Sequence, residues 1–325
     1  MMKKTKWLHR WSMVSVLTLA LVACGTDENG GEQQAPDNSG DEPTSEERVL
    51  TDGMGNEVTI SGTPENVLGT YLEDHLVALD VLPVAQWSVH GGDSIQQYLQ
   101  GDLEGIPLIP HDLPFEAVSG YNPDLILVDS PALVEGGKYE QYAKIAPTFV
   151  IGEEENNDWR EELLTVGEVL NKKEEAEQVL ADYNTKAEEA KVQLQDSIGE
   201  QSAAAVWLIN SSFFIVNENL SSGAVMYGDL GLTAPAVVQE ISAADTANWS
   251  AISLEKLVEL DADHLFLINS DGDGADSAIQ DNLWKSIPAV QNGNVYEFEQ
   301  GTAWLYQGAI ANGQIIDYIL ESLVE

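Results

Sequence analysis

The most regular hydrophobic pattern in the chain lies between Asn171 and Ile198. Ala176, Val179, Leu180, Tyr183, Ala187, Ala190, Leu194 and Ile198 recur every three or four residues, while Lys172, Lys173, Glu175, Gln178, Asp182 and Glu189 occupy the other faces. This spacing predicts one amphipathic helix, roughly 40 Å long at about 1.5 Å per residue. Asn171 is expected to cap its first turn, with Glu174 reaching back to the cap as in a capping box. A rod of that length spans two lobes.

On either side the pattern changes to short apolar runs. Val67 to Tyr71, Leu82 to Trp87, Leu125 to Val128 and Phe149 to Ile151 read as strands, with helical segments at Leu72 to Asp80 and Ile95 to Leu99. Beyond the long helix, Ala204 to Ile209, Phe213 to Val216, Leu265 to Ile268 and Val295 to Phe298 read as strands, with a helix from Ala224 to Leu230. Strands alternating with helices predict parallel α/β sheets. One spacing occurs in both halves: Glu116, then Asp124 and the strand from Leu125, matches Glu255, then Asp263 and the strand from His264. Two copies flanking the helix suggest two lobes of like fold.

The N-terminus has a different character. Lys3, Lys4, Lys6 and Arg10 precede the apolar run Trp11 to Leu21, which is a secretion signal and too short for a membrane span. The run ends in Leu21-Val22-Ala23-Cys24, which resembles a bacterial lipobox, so Cys24 is the expected lipidation site and new N-terminus. Cys24 is the only cysteine, so it has no disulfide partner. Gly25 to Arg48 is polar, Gly- and acid-rich, and predicts a disordered tether. The resulting division is a signal peptide at 1–23, a tether at 24–48, a first α/β lobe at 49–152, a helical connector at 153–200 and a second α/β lobe at 201–325.

Charge narrows the function classes. The whole chain has 14 Lys and Arg against 55 Asp and Glu, a net charge of −41. Losing the signal removes four bases and no acid, which leaves −45. Such a surface repels nucleic acid and anionic lipid, and the even spread of acids suits a saline or alkaline exterior.

The order of several further segments carries a resemblance. Val67-Leu68-Gly69, Leu82-Pro83-Val84-Ala85, Asn122-Pro123-Asp124-Leu125-Ile126-Leu127, Tyr142 to Thr148, Leu230-Gly231-Leu232 with Pro235, Ile252-Ser253-Leu254-Glu255, and Trp284 to Val290 with Asn294-Val295-Tyr296 follow one another as in the iron-siderophore and cobalamin binding-protein family. The chain resembles these extracytoplasmic receptors of ABC importers over essentially all of residues 49 to 325. The resemblance implies an α/β fold of two Rossmann-like lobes joined by a single long helix, with a ligand held between them and little closing motion. It implies a monomer held by its lipid on the outer face of the cytoplasmic membrane, with an ABC permease and its ATPase as partners. It also implies that Glu116 and Glu255, one per lobe, dock into arginine pockets of the permease.

Residues near strand ends are the candidates for the cleft: Tyr71, Trp87, His90, Ser130, Trp207, Tyr227, Trp304 and Tyr306. Aromatic rings with a polar edge suit a bulky organic chelate better than a bare ion. Trp87 and Trp304, set among polar or Gly-rich neighbours, lead this group. Beyond Ser202 the only bases are Lys256 and Lys285, and the first lobe offers Lys138 and Lys144 at most. A strongly anionic ligand needs paired cations, so this scarcity favours a neutral or weakly charged ferric hydroxamate over a catecholate or citrate. The chelator would carry the iron, so no cofactor and no protein metal ligand are expected.

Three rivals stand beside this reading. His75, His90, His111 and His264 share no metal-ligand spacing, and Asn269 to Gly274 lacks the closing Glu of a calcium loop, so a polar turn is expected there. A GDS-type secreted hydrolase would use Gly92-Asp93-Ser94 with Asp261 and His264, but no oxyanion block lies between them. A haem or cobalamin receptor would keep the fold, with Tyr71 or His90 as the axial group for haem.

Overall fold

The computed structural model describes residues 47–89, 91–92, 94–153, 157–244 and 247–324. The signal segment, Cys24, His90 and all but the last two residues of the expected tether lie outside the described residues. Those last two are not tether: Glu47 and Arg48 open strand β1 (Glu47–Thr51), which pairs antiparallel with β2 (Glu57–Ser61). Arg48 donates to the carbonyls of Gly62 at 3.2 Å and Val169 at 2.9 Å, a cation on the C-terminal carbonyls of a helix.

The first lobe continues with β3 (Val67–Gly69), α1 (Glu73–Ala78), β4 (Gln86–Ser88), α2 (Gln100–Leu103), β5 (Leu108–Pro110), α3 (Phe115–Gly120), β6 (Leu125–Val128), α4 (Tyr139–Tyr142) and β7 (Thr148–Val150). Three strands form a parallel sheet in the order β3-β6-β7, and β4 and β5 form a separate parallel pair. All four residues of β6 are buried, which is why its sequence is an unbroken apolar run. The strand expected over Leu82 to Trp87 survives only at its end. Pro83 has no N–H for a ladder, and Leu82 is 53 % exposed.

Two helices follow, α5 (Trp159–Val169) and α6 (Lys173–Ser197). The 25 residues of α6 make a rod of about 37 Å whose buried positions are Ala176, Tyr183, Ala187, Ala190 and Leu194, on the stripe the periodicity marks. The expected capping box is absent. Lys172 is the N-cap and makes no side-chain cap bond, while Asn171, at φ 60°, closes α5. The Lys172 amide then reaches back to the Gly167 carbonyl at 2.7 Å, the pattern of a left-handed helix stop. Gly167 has no side chain because a Cβ there would collide with the Ala176 Cβ, so α5 and α6 cross at backbone distance.

The second lobe holds β8 (Ala203–Ile209), β9 (Ser212–Val216), α7 (Ser221–Gly223), a π-helical turn at Ala224–Asp229, α8 (Ala236–Ala244), β10 (Trp249–Ile252), α9 (Leu254–Leu257), β11 (His264–Asn269), α10 (Asp276–Ile279), α11 (Pro288–Asn292), β12 (Val295–Glu299) and α12 (Ala309–Leu323). Its sheet has the order β10-β9-β8-β11-β12. β8, β11 and β12 are parallel, but β9 and β10 run antiparallel, contrary to the all-parallel expectation. The two-residue loop Asn210-Ser211, with both φ near +50 to +58°, is a tight hairpin turn, and a parallel pair needs a much longer crossover. The Asp271 carboxylate accepts from both loop amides, at 2.6 and 2.7 Å, so the segment that resembles half a calcium loop is a polar clasp on this turn.

The repeat is structural. In each lobe a short helix bears the glutamate, and an aspartate follows whose side chain accepts amides just ahead of a strand of the lobe's main sheet, the edge strand β3 in the first and the central strand β8 in the second. Asp124 accepts from Glu65 and Asn66 before β3, and Asp263 from Ser202 before β8. The amides of Asp124 and Asp263 bond back to the carbonyls of Asn66 and Ser202. Each lobe has its own outer core, around Ile126 and Val128 in the first and Leu265 and Leu267 in the second. A third core is shared, where α6 and α12 meet both lobes. The fold is thus two α/β lobes joined by one long helix.

Candidate functional site

Parallel strands end their C-termini on one edge, where open α/β sheets collect their ligands. Just past β3 the chain turns sharply, with Tyr71 in the left-handed region at φ 58°. A bulky residue there is strained, and its ring is 38 % exposed. Trp87 of β4 stands beside it, ring centroids 5.5 Å apart and edge to face. Tyr306, from the segment before α12, brings a third ring 6.3 Å from Tyr71 and 5.2 Å from Tyr98. Its hydroxyl donates to the Ile95 carbonyl at 3.3 Å. The aromatic mouth therefore draws on both ends of the chain.

Bonded to the Trp87 amide and the Tyr98 hydroxyl is a buried ionisable floor on the first turn of α1. Glu73, Asp74 and His75 are 2, 2 and 3 % exposed. Glu73 accepts from the Trp87 amide at 2.8 Å and the Gln96 side-chain amide at 3.0 Å, which ties the Trp87 strand to the helix. Burial pushes its carboxyl up to about 7, against the pull of the Trp87 amide and its own. Asp74 accepts from the amides of Ile310 and Ala311 at 3.1 and 2.9 Å and from the Tyr98 hydroxyl at 2.9 Å, and burial raises it as well. His75 Nε2 lies 3.3 Å from Glu162 of α5. Burial opposes the charged imidazole, but the bond and charge of Glu162, with Asp74 and Asp129, hold its pKa above the usual range. The phenols of Tyr98 and Tyr306 are pushed up, first by burial and then by neighbouring charges that include Glu73.

Of the expected residues that are described, the structure brings together Tyr71, Trp87 and Tyr306; His90 lies outside the described residues. Trp304 is not at the cleft: it is fully buried, stacked 4.9 Å from Phe266, because the Gly-rich neighbourhood that suggested exposure is a core crossing. Tyr227 donates to the Ala203 carbonyl, at the opposite end of β8 from the strand's C-terminus. Ser130 is 4 % exposed. Trp207 donates to Ser270 Oγ at 2.7 Å and joins a second aromatic group with Phe214 and Trp249 on the second sheet. Sequence reasoning misses Tyr98, Glu73 and Asp74. The only signal at Glu73 and Asp74 is three ionisable residues in succession, which reads as an ordinary acidic helix start.

The rival sites are not assembled. Ser94 accepts the Val89 amide at 2.7 Å in the first lobe, whereas His264 sits against Tyr296 and Gln201 at the start of β11 in the second. Among the described residues no group of three His, Cys, Asp or Glu could hold a metal ion. A separate cavity of about 400 Å³ lies between the Asp52 turn and α5, but carboxylates line it and Phe149 is its one aromatic side chain, so it offers a chelate little apolar contact. No described helix is long and apolar enough to cross a membrane. Glu116 and Glu255 are exposed in the first turns of α3 and α9.

The sequence profile of the family described as "Periplasmic binding protein" matches residues 108–301. The chain is 26 % identical over 230 residues to the iron(3+)-hydroxamate-binding protein FhuD of Bacillus subtilis (strain 168), covering 70 % of this chain and 71 % of that one. It is 28 % identical over 314 residues to the iron-uptake system-binding protein of the same organism, covering 90 % and 92 %. A crystal structure described as a FhuD fold-family periplasmic binding protein component of a Fep/Fec-like ferrichrome ABC transporter, also from Bacillus subtilis, has a TM-score of 0.72 at 24 % identity and covers 85 % of this chain and 100 % of that one.

Proposed function

The chain belongs to the periplasmic binding protein family, and on that premise we propose that it captures a ferric siderophore outside the cytoplasmic membrane and hands it to an ABC permease. The relatives named for iron(3+)-hydroxamate and iron uptake support the cargo class. The receptor is anchored through a lipid on Cys24, and Glu116 and Glu255 dock on the permease. Both glutamates are exposed at equivalent points of the two-lobe repeat, which suits a pair of carboxylates that report lobe spacing to two guanidinium groups. It performs no chemistry on its cargo.

The observation that carries the choice of cargo is the mouth itself. Three aromatic rings cluster there, buried carboxylates bond to the Trp87 amide and the Tyr98 hydroxyl, and among the described residues no Lys or Arg bonds to the residues of the mouth or its floor. Arg160 and Lys186, for example, pair with Asp229 and Asp317 elsewhere. A trianionic catecholate or citrate complex would meet like charge, whereas a ferric hydroxamate meets rings and polar edges. The test is tryptophan-fluorescence titration of the mature protein with ferric hydroxamates, catecholates, citrate, haem and cobalamin. Saturable quenching at low micromolar or below by hydroxamates supports the reading, and tight binding of a catecholate or citrate instead refutes the cargo.

A further inference from the structure

The two-lobe repeat carries more than its glutamates. In each lobe the helix that bears the glutamate is followed by a buried strand and then by another helix: α3, β6 and α4 in the first, α9, β11 and α10 in the second. Both helices of each set line an open groove, of about 560 Å³ in the first lobe and about 490 Å³ in the second. Phe115 and Ile145 give the first its apolar wall, and Phe213, Ile252 and Leu254 the second. A second ring braces the phenylalanine of each groove: Tyr142 lies 4.8 Å from Phe115, and Trp284 stacks 5.3 Å from Phe213. Rings held in this way are a preformed surface, which takes up an apolar side chain at little cost in ordering. Both grooves also adjoin the glutamates. Glu116 lines the first, and Ser253 and Leu254, the two residues just before Glu255, line the second.

A groove at the same place in both lobes fits a partner that presents two like elements, and a glutamate beside each groove calls for a base on each element. A second copy of this chain does not fit, because with 55 acids against 14 bases it brings like charge to like charge. We propose that each groove receives one apolar side chain of the ABC permease, from the same element that carries the basic group paired with the neighbouring glutamate. The inference rests on the reading of Glu116 and Glu255 as permease contacts. The glutamates then govern encounter and orientation, and the grooves supply the apolar burial that holds the complex. The two rims are not identical. Lys144 lines the first groove, whereas Asp281 lines the second, and Lys256 next to Glu255 is held by Glu240 and Glu259 at 2.8 Å each. The second groove is thus the more acidic of the two.

The experiment uses the mature receptor and the importer on which its siderophore uptake depends, purified with its ATPase in lipid nanodiscs. Ser119 and Ala251 are exposed and line the first and second groove, so Ser119→Trp and Ala251→Trp fill one groove each without disturbing a core position. Siderophore affinity, measured by calorimetry, should be unchanged in both. Binding to the nanodiscs should weaken by about tenfold in either variant and by about a hundredfold in the double variant. Hydrogen exchange on the native complex should be slowed at 141–145 and 278–281, the walls away from the glutamates. That measurement needs no variant, so it decides the matter even if a tryptophan variant does not fold. Native-like docking of both tryptophan variants, or no slowing at those walls, overturns the proposal. If Glu116→Ala and Glu255→Ala still weaken docking in that case, the glutamate contact stands without the grooves. If the glutamate variants also dock normally, or the native receptor does not bind the nanodiscs, the permease reading falls and the proposal with it. A receptor dimer in sedimentation that the tryptophan variants abolish makes a second copy the occupant and likewise overturns the proposal.

Discussion

Asp74 is the residue whose removal tests the architecture most directly. Helix α12 begins after Gly308, which has no side chain to offer its first amides. Asp74, 236 residues away from Ile310, accepts the amides of Ile310 and Ala311, the second and third positions of the helix. It performs from another element the task an N-cap side chain performs locally. Gly308 is required there, because a Cβ would collide with the Asp74 carboxylate and its φ is +133°. Asp74→Ala leaves two buried amides without an acceptor, at about 1–3 kcal/mol each, and removes a charge that the helix end favours. The Tyr98 hydroxyl keeps Gln96 Oε1 at 2.8 Å, so it adds little. Against these losses stands relief of the burial that already raises Asp74. The net expectation is a loss of about 3 kcal/mol in urea unfolding with an unchanged m-value. Asp74→Asn, which keeps one acceptor, should lose about half as much. Gly308→Ala should cost less in the Asp74→Ala background than alone, since the collision with the carboxylate is then gone and only a 2.8 Å approach to the remaining Cβ and the backbone strain are left. A loss under about 1 kcal/mol for Asp74→Ala, or equal Gly308→Ala costs in both backgrounds, would refute this account of how α12 is held to the first lobe.

The other predictions concern charge, packing and partners. Glu73 has a folded pKa raised from 4.5 to about 7, so the folded state binds the extra proton and this contribution is present below pH 4.5 and lost as pH rises through about 7. The difference in unfolding free energy between native protein and Glu73→Gln should therefore shift by about 3 kcal/mol across that window, and a constant difference would count against it. Trp304→Ala should destabilise by about 3–5 kcal/mol, as a core truncation does, whereas Tyr71→Ala should weaken ligand binding with a stability change near 1 kcal/mol or less. Glu116→Ala and Glu255→Ala should bind ligand as the native protein does yet fail in permease-dependent uptake, and normal uptake would remove them from the interface. Cys24→Ser should abolish incorporation of labelled palmitate and release the protein from membranes.

Much of the architecture is legible because it is written in local periodicity. The stripe on α6 needs only its own residues, and the apolar run of β6 marks a strand buried on both faces. Local patterns mislead where one residue has two uses. Asn171 is as good a helix stop in the left-handed region as it is a helix start, and the chain uses it to end α5. The hairpin between β8 and β9 is also present as a signal, since two residues cannot carry a parallel crossover. The candidate site is legible in part. Tyr71, Trp87 and Tyr306 follow from strand ends and polar neighbours, but Trp304, two residues before Tyr306, is core.

The amino-acid sequence by itself determined that two similar α/β halves flank one long helix, because each of these is a pattern within a short window. Only the tertiary structure decided which rings meet at the mouth, that Glu73 and Asp74 are buried and bond to the Trp87 amide and the Tyr98 hydroxyl, and that α12 is capped from the far end of the chain. Burial and capping depend on what packs against a residue, and the partners of Tyr306 and Asp74 lie more than two hundred residues away, where no local pattern reaches.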